Sequence, residues 1–303
     1  IPFDAFVTKP VDKDTKPRDY PYLINDYQTS IAYSATLLKE MRDKRHHKAP
    51  KKNFLGVAPL FDKGGDSLML ASRFVDFSNK RNRLGMLEKN IPEVKELQKM
   101  IGGDILIDTS ATEAAFLEIA SDYKVLHLST HGKANDKVGD YSFLAFYELE
   151  DSLENEWLYN RELYDIELNA DMVVLSACET GIGELQRGEG IISLARGFSY
   201  AGAKSIITSL WTVDDTEAPI LMKSFYEYLD KGYAKDAALR QAKLDYLQSS
   251  SKPQPYFWAT FIPIGDMQPI SFQTGTPWWV WGGIVGLAGL ILFIQVFYFA
   301  TGD

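Results

Sequence analysis

Short apolar runs that are typical of buried strands alternate along this chain with helical patterns of about ten to fifteen residues. Such an alternation strongly limits the fold, because parallel strands need helical crossovers between them. It predicts a mostly parallel sheet with helices on both faces, whose functional residues lie beyond the carboxyl ends of the strands. The predicted strands are Asn53–Pro59, Asp104–Ile107, Val125–Thr130, Phe143–Tyr147, Met172–Ala177, Lys204–Leu210 and Phe257–Ile264.

The predicted helices fill most of the intervening segments. Glycines 102 and 103 end the second of them, and Ser110 with Glu113 has the spacing of a capping box before the third. The helical patterns lie between Tyr20 and Arg42 and at Pro92–Met100, Ala114–Ala120, Gly190–Tyr200, Thr216–Asp230 and Lys235–Gln248.

Composition supports a folded protein and argues against nucleic-acid binding. Apolar residues make up 46% of the 303 residues, enough for a substantial core, and the formal net charge is −9. Phosphate neutralisation needs clustered Lys and Arg, so nucleic acid is not an expected partner. The one basic run, Lys44–Lys52, is interpreted as a solvated loop before a strand, with docking to anionic lipid head groups as the alternative.

The only cysteine follows one of the buried strands, and a histidine follows another. Cys178 comes directly after Met172–Ala177, and His131 comes directly after Val125–Thr130. If these strands are neighbours, thiol and imidazole meet at one edge of the sheet. A single cysteine excludes an internal disulfide and favours a reducing compartment. The alternative for Cys178 is an inert, buried structural thiol.

Several motifs, in order, resemble one protein family. They are THG at 130–132, the segment VVLSACETGIGELQRGEGIISLARGFSYAGAKSIITSLWTVDDTEA at 173–218, and YFWATFIPIGD at 256–266. Together they resemble the CHAT family of caspase-like cysteine peptidases, and the likeness covers most of residues 1–266. The spacing of the histidine and the cysteine also matches that of caspases.

The resemblance implies a caspase-like fold and a cysteine endopeptidase that cleaves a specific protein substrate without a cofactor. CHAT domains often follow tetratricopeptide repeats, so an upstream repeat domain is an expected regulator, and the family is implicated in bacterial signalling. The chain begins inside the family's pattern, which predicts that an upstream portion is missing. By resemblance to caspases, the backbone amides of Gly132 and Cys178 are the oxyanion donors.

The expected chemistry uses Cys178 as nucleophile and His131 as general base and then general acid. A free thiol with a pKa near 8.5 is about 3% thiolate at pH 7, and lowering that pKa makes each thiolate less nucleophilic. The net gain in the reactivity of the thiol is about a few-fold. The larger expected contribution of the histidine to the rate is therefore the protonation of the departing amine. Sequence identifies no third residue that orients the imidazole.

Two further interpretations compete with the peptidase. The first is a catalytically silent signalling scaffold of the same fold; the presence of both His131 and Cys178 argues against it, although the sequence does not show whether the two residues meet. A Rossmann-type nucleotide binder is favoured only by the glycines at 181, 183, 188 and 190. Glu189 stands where a phosphate-binding lysine is required, and Gln186 breaks the dinucleotide pattern.

His127 is interpreted as a core histidine rather than a metal ligand. HLSTH has the spacing of a metal-binding pair on a helix, but this segment is a predicted strand and no Glu follows the first histidine. No metal is therefore expected.

Asp214 and Asp215 follow a predicted strand on the same edge as His131 and Cys178. One of them is a candidate to receive a basic substrate side chain, which predicts cleavage after Lys or Arg. The alternative is that they cap the helix that begins near Thr216.

The C-terminal segment predicts a membrane anchor. Residues Trp278–Ala300 form an uncharged apolar run of about 23 residues, roughly 35 Å of helix against a hydrocarbon core of about 30 Å. Tryptophans at one end and Tyr298 at the other fit interfacial aromatic belts. The expected organisation is a peptidase domain at 1–266, a linker at 267–277 and a transmembrane helix at 278–300, with the catalytic domain in the cytoplasm.

Overall fold

The computed structural model describes residues 2–61, 86–133, 139–148, 156–176 and 189–272. The chain divides into two compact units, Ile1–Ser271 and Phe272–Asp303, and the second is described only at Phe272. The strands of the first unit are β1 (Lys52–Pro59), β2 (Asp104–Asp108), β3 (Tyr123–Ser129), β4 (Gly132–Lys133), β5 (Phe143–Ala145), β6 (Trp157–Tyr159), β7 (Met172–Ser176), β8 (Ser205–Ser209) and β9 (Phe261–Gly265). Its α-helices are α1 (Leu23–Asp26), α2 (Ala35–Asp43), α3 (Asn90–Ile101), α4 (Glu113–Ile119), α5 (Glu189–Ala201), α6 (Ala218–Asp230), α7 (Lys235–Ser249) and α8 (Pro255–Trp258).

The main sheet has six strands in the order β2-β1-β3-β7-β8-β9. The first five are parallel, and β9 pairs with β8 in the antiparallel direction. The predicted mostly parallel sheet is therefore confirmed. From β1 the chain proceeds to β2 on one side, and from β3 it proceeds to β7 on the other. The connections thus reverse direction between β1 and β3, and in open α/β sheets such a switch point is where ligands usually bind.

Helices cover both faces of the sheet, and the strands are buried because both of their faces are occupied. On one face, Gly56 of β1 lies against Val94 of α3, and His127 of β3 contacts Tyr226 of α6. On the other, Leu126 and Leu128 of β3 belong to an apolar cluster with residues of α4 and α5. The near-continuous apolar character of these strands is the sequence signal of two-sided burial.

A second, antiparallel sheet of three short strands, β4-β5-β6, begins where β3 ends. Gly132 pairs with Leu144, and the rings of Phe143 and Trp157 stack with centroids 4.3 Å apart. The sequence predicted only β5, because strands of two or three residues are too short to show alternation.

Three local predictions are wrong. Phe257 and Trp258, which the sequence places in the last strand, lie in α8, and β9 begins at Phe261. Between α1 and α2 the chain is extended, and Ile31 pairs with Ile264 along β9, so the helical spacing between Tyr20 and Arg42 does not form one helix. At α4, Thr112 is the N-cap and accepts from the backbone N–H of Ala115. Ser110 instead turns back to the backbone of Ile107, and this explains why the predicted capping box does not form.

The basic run Lys44–Lys52 lies at the amino edge of the main sheet, opposite the carboxyl ends of the strands. Its basic side chains contact carboxylates of neighbouring segments, for example His46 with Asp171 at 2.8 Å and Lys51 with Asp122 at 2.9 Å. The run thus connects the start of β1 to the segments that open β3 and β7.

The predicted transmembrane segment, Trp278–Ala300, lies outside the described residues. Within the ranges that the structure describes, no helix has the length and apolar character needed to cross a bilayer.

Candidate active site

The carboxyl ends of β3 and β7 lie side by side in the centre of the main sheet. The strands are parallel and in register, and Ser129 pairs with Ser176 at the last position of each strand. The backbone N–H of Thr130 then donates to the carbonyl of Ser176 over 3.3 Å. The two strands therefore end at the same level of the sheet.

His131 follows β3 by two residues and is buried, with 1% of its surface exposed. Its carbonyl accepts from the N–H of Ala145 over 2.8 Å, and the hydroxyl of Thr130 donates to the Ala145 carbonyl over 2.5 Å. The ring of Phe61, just beyond β1, packs edge-on against the imidazole with centroids 4.6 Å apart. Backbone bonds to β5 and an aromatic contact from the β1 side thus hold His131 beyond the carboxyl ends of β1 and β3.

Cys178 lies outside the described residues, as do the glycines at 181, 183 and 188. Gly132, the other predicted oxyanion donor, is buried and opens β4. Glu189 and Gly190 form the first turn of α5, which fits the predicted transition from glycine-rich loop to helix.

Asp214 and Asp215 follow β8, and only Asp214 bonds to residues near it in the chain. The carboxylate of Asp214 accepts from the backbone N–H and hydroxyl of Thr216, and its carbonyl accepts from the first N–H of α6. Burial acts to raise the pKa of Asp214, but the hydrogen bonds from Thr216 outweigh it and lower the pKa. Lys252 lies 3.8 Å from the same carboxylate.

Asp215 reaches a different helix from the one that the sequence indicated. Its carboxylate accepts from the backbone N–H groups of Glu88 and Lys89, directly before α3, over 2.9 and 3.2 Å. Burial raises the pKa of Asp215 above its ordinary value, while these two donors oppose the rise. Asp215 thus ties the segment after β8 to the N-terminus of α3.

Beneath the strand ends lies a buried polar cluster that sequence reasoning missed. Glu93, on the first turn of α3, is 4% exposed. It accepts from the hydroxyls of Ser129 over 2.7 Å and Ser176 over 3.0 Å. A signal for it exists, because Glu93 falls on the stripe formed by Val94, Leu97 and Ile101, where a carboxylate is out of place without buried partners.

His127 belongs to the same cluster and is fully buried. Its Nδ1 lies 3.1 Å from the hydroxyl of Tyr226, and its Nε2 lies 3.3 Å from a carboxylate oxygen of Glu93. The interpretation as a core histidine agrees with these contacts. In the part of the chain that the structure describes, no group of three or more His, Cys, Asp or Glu side chains is arranged to hold a metal ion.

Comparison with known proteins identifies the family. The model of the CHAT domain matches residues 1–266, so the chain belongs to the CHAT domain family. Tetratricopeptide repeat protein 28 of Mus musculus is 31% identical over 105 residues, which are 35% of this chain and 4% of that protein. The human protein of the same name matches to the same extent. The chain thus spans a small fraction of these relatives' length.

A comparison with solved structures also finds matches, with TM-scores below 0.5. The Arg-specific cysteine proteinase gingipain R matches with a TM-score of 0.47 and 10% identity over 78% of this chain and 51% of that one. Caspase-1 from Spodoptera frugiperda matches with a TM-score of 0.42 and 12% identity over 78% of this chain and 96% of that one.

Proposed function

We propose that the chain is a caspase-like cysteine endopeptidase in which Cys178 is the nucleophile and His131 the general base and acid. The observation that carries the proposal is the register of β3 and β7. Ser129 and Ser176 are partners at the strand ends, and each proposed catalytic residue follows its serine by two positions in the sequence. Membership of the CHAT family adds independent support.

In the proposed reaction the Cys178 sulfur attacks the scissile carbonyl carbon, and the thiol proton passes to the imidazole of His131. The carbonyl oxygen becomes an oxyanion, for which the backbone amides of Gly132 and Cys178 are the proposed donors. The C–N bond then breaks, and the imidazolium protonates the leaving amine. Water then attacks the thioester carbonyl and gives one proton to the imidazole of His131; the C–S bond breaks, the acid is released, and the imidazolium passes that proton to the Cys178 sulfur.

The burial of His131 suits this role. A side chain with 1% exposure, held by Phe61 and by the backbone bond to Ala145, has few alternative positions. A fixed imidazole supplies the proton along one direction, and such positioning accounts for a large part of the rate enhancement in acyl transfer.

A peptide chloromethyl ketone tests the proposal against the silent-scaffold alternative, because Cys178 is the sole thiol in the chain. We expect the reagent to label the wild-type chain, Cys178→Ala to abolish labelling, and His131→Ala to slow it at least about a hundredfold. Equal labelling of wild type and His131→Ala would support the scaffold instead.

We propose that Asp214 or Asp215 receives a basic side chain at the residue before the scissile bond. Both carboxylates lie in the segment beyond β8, on the same edge of the sheet as His131. A peptide-library profile of the wild type should favour Lys or Arg at that position, and Asp214→Asn or Asp215→Asn should weaken the preference. A profile that favours Asp or small apolar residues would reject this assignment.

We also propose that Trp278–Ala300 anchors the peptidase in a membrane with its catalytic domain in the cytoplasm, and that an upstream repeat domain regulates it. Tethering would raise the local concentration of bilayer-bound substrates. The full chain should resist extraction from membranes at alkaline pH, whereas a chain that ends at Asp266 should be released. Release of both would reject the anchor. The relatives named for tetratricopeptide repeats support the regulator.

A further inference from the structure

Glu93 joins the ends of the two central strands. One carboxylate oxygen accepts from Ser129 at the end of β3, and the other accepts from Ser176 at the end of β7. These serines are each other's partners in the sheet, and both are fully buried. A single side chain from α3 therefore bridges the last pair of residues in the β3–β7 ladder.

A buried carboxylate at this position carries an unfavourable desolvation free energy. Removal of a charge from water is unfavourable unless donors replace the water, and apolar packing usually stabilises a core better. Here two serine hydroxyls are the donors. The positive end of the α3 dipole also favours the negative charge, since Glu93 lies on the first turn of that helix. The arrangement thus favours a defined geometry over maximal stability.

The neighbours of Glu93 fix its orientation. Burial raises the pKa of Tyr226 well above its ordinary value, so the phenol keeps its proton. When that hydroxyl donates to Nδ1 of His127, the imidazole carries its proton on Nε2, the nitrogen that faces Glu93 at 3.3 Å. On the same helical turn, the side-chain amide of Asn90 donates to the carbonyls of Pro59 and Ser129.

We propose that Glu93 is a positioning residue of the peptidase site. By bridging Ser129 and Ser176 it fixes the relative height of the two strand ends, from which His131 and Cys178 each follow after two residues. This inference rests on the proposed function. Its physical basis is the sensitivity of catalysis to placement, since a shift of about 1 Å can lower a rate by about a hundredfold.

The pH dependence of Cys178 alkylation by iodoacetamide measures the relation between thiol and imidazole without a known substrate. A thiolate next to an imidazolium titrates below the ordinary range, so the wild-type midpoint should lie below that of His131→Ala. Glu93→Leu keeps the size of the side chain and removes the bridge, and we expect it to raise the midpoint by about one pH unit, toward His131→Ala. Ser176→Ala frees one strand and should shift the midpoint in the same direction.

Two further variants separate positioning from general loss of stability. In Glu93→Gln the amide can accept from one serine and donate to the other, so its midpoint should lie between those of Glu93→Leu and the wild type. Ser205→Ala removes a buried hydroxyl at the opposite edge, where Ser205 donates to the Asp171 carbonyl over 2.7 Å. It is the matched control for Ser176→Ala and should leave the midpoint at its wild-type value.

The possible outcomes are distinct. Equal midpoints for wild type and His131→Ala would refute the dyad and, with it, the positioning role. If the midpoint of His131→Ala is raised but those of Glu93→Leu and Ser176→Ala equal the wild-type midpoint, the positioning role alone is refuted. A midpoint raised in Ser205→Ala by as much as in Ser176→Ala would also refute it. If Glu93→Leu does not fold, as circular dichroism would report, Ser176→Ala decides the question.

Discussion

Lys235 provides a direct test of the energetics of this fold. It is the first residue of α7 and is 1% exposed. Its ammonium group donates to the carbonyls of Asp171 and Asp266 over 3.0 and 2.9 Å and lies 3.9 Å from the Asp266 carboxylate. Burial lowers its pKa to about 8, with the carboxylates of Asp266 and Asp171 opposing and Lys204 assisting.

The sign of the pH dependence follows from this pKa. In the unfolded chain the group titrates near 10.5. Between pH 8 and 10.5 the unfolded state therefore binds more protons than the native state, and stability rises with pH. The stabilising contribution of Lys235 is complete above 10.5 and is lost as the pH falls through 8. From pH 7 to pH 9 it amounts to about 1 kcal/mol.

Urea denaturation of the wild type and of Lys235→Met at pH 7 and pH 9 isolates this contribution. The substitution removes the titrating group but keeps most of its volume. We expect the wild type to gain about 1 kcal/mol relative to Lys235→Met between the two pH values. Lys51→Met, which removes an exposed lysine at the same edge of the sheet, should show no such change. A difference between wild type and Lys235→Met that is independent of pH would refute the reasoning.

Three other predictions concern single residues. Burial would raise the pKa of Asp171, but its hydrogen-bonded partners His46 and Lys204 outweigh burial and hold the pKa at about 2. The ionised carboxylate therefore contributes stability above about pH 3.8, and this stability is lost as the pH falls through 2. In urea denaturation, Asp171→Asn should cost about 2 kcal/mol at pH 7 and much less near pH 2. Gly202→Ala should cost about 3 kcal/mol, because φ is +124° and the added methyl would lie 2.2 Å from the Leu168 carbonyl oxygen; the matched Gly232→Ala, with φ of +82° and open space, should cost about 1 kcal/mol, as thermal unfolding would report. Asp215 caps α3, so Asp215→Ala should lower the stability of the protein by about 1 kcal/mol and Asp215→Asn by less. If urea denaturation gives Asp215→Ala the stability of the wild type, the capping role is contradicted.

The regular part of the fold could be predicted from the sequence because its signals are local. The apolar run at 53–59 becomes β1 because both faces of that strand are covered, and Gly102 ends α3 with a positive φ of 69°. The boundaries of β3, β7 and α7 agree with the predicted ones to within about two residues. These elements owe their form to hydrophobic pattern and helix-ending residues, which a single sequence shows.

The failures occur where a distant partner decides the local structure. Ile31 has helical spacing with its neighbours, yet its backbone bonds go to Pro263 and Gly265, and neither is visible from the local pattern. Asp215 looks like a cap for the helix that follows it, but its acceptors serve α3, which precedes it by more than a hundred residues. Propensity is a weak guide once tertiary contacts compete with it.

The candidate site shows the same division. The sequence made His131 a candidate from its position after an apolar strand, because a polar residue at the end of a buried strand is a local signal. It did not identify Glu93, since the value of a buried carboxylate depends on which hydroxyls face it, and Ser129 and Ser176 become neighbours only through the pairing of β3 with β7. A polar residue on the apolar stripe of a helix, together with a serine at the end of each central strand, is therefore the pattern to seek. Each feature alone is explained by ordinary core hydrogen bonding. Their coincidence beneath one pair of strand ends is what favours a positioning role for the carboxylate.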